Sequence, residues 1–123
     1  MDSIVVWMDS EKATVFKFSE KGNEKLSLKN HYHDHHTHSP ADGPKQMESF
    51  FHEIIEKIKA AEEILLTGPG LAKNHFKTHL ESHHHQEINK KIVGVETSDH
   101  PSDNQLQAFG KKFFKKVHLF AGS

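Results

Sequence analysis

The tightest constraint on the fold lies in the first 29 residues. SIVVWM (3–8) and ATVFKF (13–18) are runs of β-branched and aromatic residues separated only by Asp9-Ser10-Glu11-Lys12. So short a polar, turn-forming connection leaves no room for a crossover, so the two runs must fold back on each other as an antiparallel hairpin. Lys21-Gly22-Asn23 turns the chain again, and Leu26 and Leu28 then alternate with Ser27 and Lys29 in a third, weaker strand. A meander formed this early has apolar faces that later segments must cover.

The later pattern changes period. Asp42-Gly43-Pro44 supplies a helix start, with proline tolerated in the first turn. Met47, Phe50, Phe51, Ile54, Ile55 and Ile58 recur at helical spacing and predict an amphipathic helix over 44–60. EEILLTG (62–68) reads as a short buried strand, and the Gly-Pro-Gly that closes it leads into a second helix over 71–84 with Ala72, Phe76 and Leu80 on one face. KIVGVE (91–96) is a further strand. Ser102 with Gln105 forms a capping box that opens a last helix, with Leu106, Phe109, Phe113 and Val117 expected inward. The order βββαβαβα predicts an α/β fold, a mixed five-stranded sheet flanked by helices in a single domain over residues 1–123, and this layout resembles the ribonuclease H-like architecture.

Charge narrows the function. The 17 acidic and 16 basic side chains nearly cancel, and every one of those basic residues is lysine. Bidentate clamping of phosphate or guanine by arginine is therefore excluded. The absence of cysteine removes disulfides, thiolate zinc sites and cysteine nucleophiles. The N-terminal MDSIVVWMDS lacks the features of a secretory signal, and the apolar runs are too short to span a membrane. A reducing, cytoplasmic setting without membrane contact is expected.

Thirteen histidines complicate the charge balance, since free imidazole titrates near about 6.5. Five of them fall within HYHDHHTH (31–38), at the start of a histidine-rich loop spanning about 31–43. In an extended backbone His31, His33 and His35 share one side, opposite His36 and His38. His31, His33 and His35 could ligate zinc or nickel; the plainer alternative is a solvated loop with no dedicated cofactor. In contact with RNA the same imidazoles can stack on bases, and nearby phosphates favour their protonated form.

A second histidine group, HFKTHLESHHH (75–85), places His75, His79 and His83 four residues apart on one helical stripe. His83 lies almost in line with Phe76, which predicts a half-buried packing role. HLESH is not the H-E-x-x-H of zinc proteases, and the H-x-E of zinc deaminases needs a P-C-x-x-C partner that a cysteine-free chain lacks. GPGLAK (68–73) does not have the spacing of a nucleotide-binding phosphate loop; it reads as a sharp strand-to-helix turn that leaves Lys73 near a helix N-terminus, where an RNA phosphate could sit. Asp9, with the carboxylates of DHPSD (99–103), could form the metal cluster of a ribonuclease H-like nuclease, against the plainer roles of turn former and helix cap. In KKFFKK (111–116), Lys111 and Lys115 share the solvent face and could add to an RNA-facing patch.

ILLTGPGLAKNHFKTHL (64–80) resembles the strand-turn-helix of the middle domain of Pelota-type ribosome-rescue factors. The element order is similar to the middle domain of archaeal and eukaryotic peptide-chain release factors. The whole chain, over roughly residues 3 to 117, resembles a family of small single-domain bacterial translational-machinery or release-factor-like proteins. The shared marks are the histidine-rich loop, GPGLAK, and DHPSDNQL (99–106). In release factors the loop after the third strand carries a Gly-Gly-Gln motif that enters the peptidyl-transferase centre. Here the matching segment is HYHDHHTHSPADGPKQ, and the chain contains no Gly-Gly-Gln, which argues against peptide release by that route. The resemblance implies a non-catalytic factor associated with the ribosome or ribosomal RNA, in bacterial translation, rescue or dormancy. The missing arginine and near-zero net charge add the expectation that a protein partner supplies much of the affinity. The expected contacts are His31, His33, His35, His36, His38 and Lys73, with Lys111 and Lys115 in support. The alternatives are a histidine-rich divalent-metal-binding module and a metal-dependent nuclease.

Overall fold

A computed structural model describes residues 2–31, 43–83 and 85–121. Strands β1 (Ser3–Met8), β2 (Lys12–Ser19) and β3 (Gly22–Lys29) form the expected meander. They are followed by α1 (Gly43–Ile58), β4 (Glu63–Gly68), α2 (Ala72–Ser82), the four-residue α3 (Gln86–Asn89), β5 (Ile92–Thr97) and α4 (Asp103–Ala121). The sheet order is β3-β2-β1-β4-β5, with the meander antiparallel and β1, β4 and β5 parallel to one another. The mixed five-stranded α/β fold read from the sequence is thus the one observed. The helix expected over 71–84 instead stops at Ser82, and α3 follows as an additional short turn.

The two central strands explain why the sheet needs cover on both faces. β1 and β4 are buried along their whole lengths, and the period-2 alternation of β-structure divides their side chains between two cores. Ile4, Val6, Met8, Ile64 and Leu66 face α1 and α2, where Phe50, Phe51, Ile54, Ile58, Phe76 and Leu80 complete the larger core. Val5, Trp7, Phe16 and Leu65 face α4 and meet Leu106 and Phe114. Full burial of a side chain such as Phe76 contributes about 1.5–3 kcal/mol.

The inward stripe of α4 differs from the expected one. Leu106 and Phe114 are buried with Gly110 between them, Phe113 and Val117 are half-buried, and Phe109 is 37% exposed. The reason is close packing: a Cβ on Gly110 would lie 3.0 Å from Phe18 and 3.2 Å from Val5, so the helix rests on the sheet at its glycine. At the end of β4, Gly68 has φ +153°, and a Cβ there would meet the Met8 carbonyl oxygen at 2.0 Å. The Gly-Pro-Gly turn can therefore follow β4 without forcing it away from β1. The expected capping box of α4 is present: Ser102 N–H donates to Gln105 Oε1 at 2.9 Å, and Gln105 N–H donates to Ser102 Oγ at 3.2 Å.

Candidate functional site

The histidine loop joins β3 to α1, and His33, His35, His36 and His38 lie outside the described residues. His31, exposed, is its first residue, and the root is defined. Asn30 is buried; its N–H donates to the Glu11 carbonyl at 2.7 Å, and its Nδ2 donates to the Ser10 carbonyl at 2.9 Å and lies 3.3 Å from Met47 Sδ. One side chain thus ties the end of β3 to the β1–β2 turn and to α1, fixing where the loop leaves the sheet. Beside this root lies a cleft of about 430 Å3 lined by Asp9, Ser10, Met47, Pro69, Leu71 and His75, among others.

Lys73 borders this end of the sheet but is not presented to solvent. It is 4% exposed, and its ammonium donates to the Gly70 carbonyl, closing the Gly-Pro-Gly turn. As packed, the side chain holds the turn, and a phosphate contact would require it to let go.

Asp9 is a turn former. Its Oδ1 accepts the N–H groups of Glu11 and Lys12 at 2.8 and 2.9 Å. His100 stands between two carboxylates, with Nδ1 2.8 Å from Asp99 Oδ1 and Nε2 3.8 Å from Asp9 Oδ2, and its ring lies 5.2 Å from that of Trp7. Trp7 Nε1 donates to the Asp99 carbonyl at 2.8 Å, which pins the segment after β5. Asp99 itself is 94% exposed, and among the described residues no group of three such side chains is gathered around a metal position. As placed, these carboxylates organise turns and an imidazole.

The second histidine group is more tightly assembled than its spacing suggested. His79, not His83, is the buried member, and His83 is exposed. The His79 and His83 rings stack at 4.2 Å. His52 of α1 joins at 5.3 Å from His79 and 6.0 Å from His85, and His85 lies 5.9 Å from His79. Nε2 of His79 is buried and has no hydrogen-bond partner among the described residues. Burial holds the His79 pKa below the ordinary imidazole value; nearby His83, His52 and His85 push the same way, and Glu48 opposes them. A cleft of about 490 Å3 opens beside the group, lined in part by Met47, Glu48, Phe51, His75, His79 and His83. His52 was missed, and His85, though inside HFKTHLESHHH, was not placed beside His79, because helical angle relates residues of one helix only. The available signal was His52 following the core residue Phe51, which places it at the rim of the α1–α2 seam.

Lys111 and Lys115 lie elsewhere. They flank a groove of about 560 Å3 against Phe18, Phe114 and Leu119, and Lys111 Nζ sits 6.0 Å above the Phe18 ring. At one edge of the groove the buried Glu63 accepts from Ser3 Oγ and pairs with His118 Nε2. This groove involves the start of β1 and the end of β2, on the α4 face, whereas the loop root meets the end of β1. The two lysines and the loop root therefore do not form one patch.

No protein-family model matches the chain, and no curated protein matches it in sequence. Among solved structures, Pelota of Thermoplasma acidophilum is similar with a TM-score of 0.63 and 18% identity, over 89% of this chain and 31% of that one. Pelota of Archaeoglobus fulgidus gives a TM-score of 0.65 at 17% identity, over 98% of this chain and 35% of that one. The archaeal translation termination factor aRF1 gives 0.59 at 14% identity, over 98% and 41%. The chain thus spans between 31% and 41% of the length of these solved relatives. What it shares with Pelota and aRF1, over nearly its whole described length, is the α/β fold of their middle domain.

Proposed function

We propose that this protein is a non-catalytic, ribosome- or RNA-associated factor of bacterial translation, rescue or dormancy, which presents its histidine loop to RNA. The observation that carries this reading is the loop root on a Pelota-like sheet. The chain leaves β3 at Asn30, is tied there to the β1–β2 turn and α1, and returns at Gly43, where release factors carry their Gly-Gly-Gln loop. Histidines stand at this place instead. Imidazoles stack on exposed bases and gain charge beside phosphates, so contact without peptide release is the chemistry available. The absence of arginine and the near-zero net charge make electrostatic affinity modest, which supports a protein partner sharing the binding.

Site-directed cross-linking tests the orientation. A photo-cross-linking residue replacing His31 is expected to label ribosomal RNA in purified ribosomes, while one replacing Lys116 on α4 does not. Labelling from Lys116 and none from His31 would contradict the proposed face.

A further inference from the structure

Beyond any role in translation, we propose that His52, His79 and His85, with His83 as a fourth ligand, form a binding site for a divalent transition-metal ion of the zinc class, at the seam of α1, α2 and the turn after α2. This site is separate from the histidine loop.

The ring positions carry the inference. A zinc–nitrogen bond of about 2.0–2.1 Å puts an imidazole centroid about 3.2 Å from the ion, so two imidazoles sharing a tetrahedral ion have centroids about 5 Å apart. The triangle of His52, His79 and His85 has sides of 5.3, 5.9 and 6.0 Å, within about 1 Å of that separation. His83, the residue that caps α2, follows His79 by four positions; its ring now stacks on that of His79 at 4.2 Å and must turn out of that stack to reach a shared ion.

The second observation is independent of ring spacing. His79 is buried, and its Nε2 has no hydrogen-bond partner among the described residues. A buried polar nitrogen without a partner is costly, and a metal ion at the cleft would satisfy it. Glu48 Oε1, 3.9 Å from His52 Nε2, places a carboxylate where it can orient a ligand imidazole. Among the described residues no three donor side chains already converge on a metal position. His52 and His83 are exposed and His85 is half-buried, which leaves their rings room to turn toward His79.

The test is zinc titration of the full chain in competition with a chromogenic chelator, alongside cobalt(II) absorption spectra. One variant carries alanine at His31, His33, His35, His36 and His38, and a second carries His52→Ala and His85→Ala. Melting in chelator checks that both fold, and the second pair is solvent-facing enough to be replaced without emptying the core. The loop variant is expected to retain one tight zinc and a tetrahedral cobalt spectrum. The His52/His85 variant is expected to lose affinity by more than the about 10- to 100-fold that removal of an outer-shell partner costs. Zinc binding of wild-type strength in the His52/His85 variant, loss of the tight site in the loop variant alone, or no tight zinc in the wild-type chain would each overturn the proposal.

Discussion

Replacing His79 with phenylalanine, in the presence of chelator, is expected to stabilise the protein, and to do so increasingly as the pH falls. The wild-type side chain is buried against Phe51, with ring centroids 5.3 Å apart, and its Nε2 has no partner among the described residues. An unsatisfied buried polar group costs about 1–3 kcal/mol. The slightly larger phenyl ring returns part of that gain, with overpacking costing about 1 kcal/mol at the lower end. The net is a stabilisation of about 1 kcal/mol at pH 7.5, read as a rise in melting temperature of about 4 °C. Acidification acts on the wild type alone at this position. The folded-state pKa of His79 is lowered, so between it and the unfolded value near about 6.5 the unfolded chain binds more protons. The stability associated with neutral His79 is therefore present above the unfolded pKa and is lost as the pH falls toward the folded one. Thermal melts of both proteins from pH 7.5 to pH 5.5 should diverge, because the other twelve histidines are common to both. A destabilised variant, or a difference that does not change with pH, would refute the reasoning.

Gly68→Ala is expected to destabilise beyond the about 1–3 kcal/mol of its backbone conformation alone, because its Cβ would meet the Met8 carbonyl at 2.0 Å. Gly70→Ala, with nothing within 4 Å of its Cβ, should stay within about 0.5 kcal/mol of wild type in the same urea titration. Ser102→Ala removes one half of the capping box and should cost about 1 kcal/mol in urea, with Ser102→Asp recovering most of it.

The element order was legible because period and turn chemistry agreed: a polar connection between two β-branched runs, then helical spacing from Met47 to Ile58. Packing between elements was less so. On α4, Phe109 and Phe113 formed an apolar stripe with Leu106 that the structure does not bury as a unit. The true seam runs Leu106–Gly110–Phe114, and a glycine pressed onto Phe18 adds no apolar signal to a sequence pattern. Lys73 read as a surface cation because charge dominates its residue type. Its place is decided by the Gly70 carbonyl and by burial of its aliphatic stem. The four-imidazole group needed the α1–α2 pairing, which helical periodicity within either element does not specify.

Co-sedimentation of the untagged chain with purified ribosomes, in chelator at pH 6 and pH 7.5, addresses the translation role most directly. It is run beside the variant with alanine at His31, His33, His35, His36 and His38. Wild-type protein is expected to pellet with ribosomes, more fully at pH 6 where imidazoles gain charge, while the loop variant stays in the supernatant. Wild-type protein that fails to pellet at either pH, or a loop variant that pellets equally, would contradict the account.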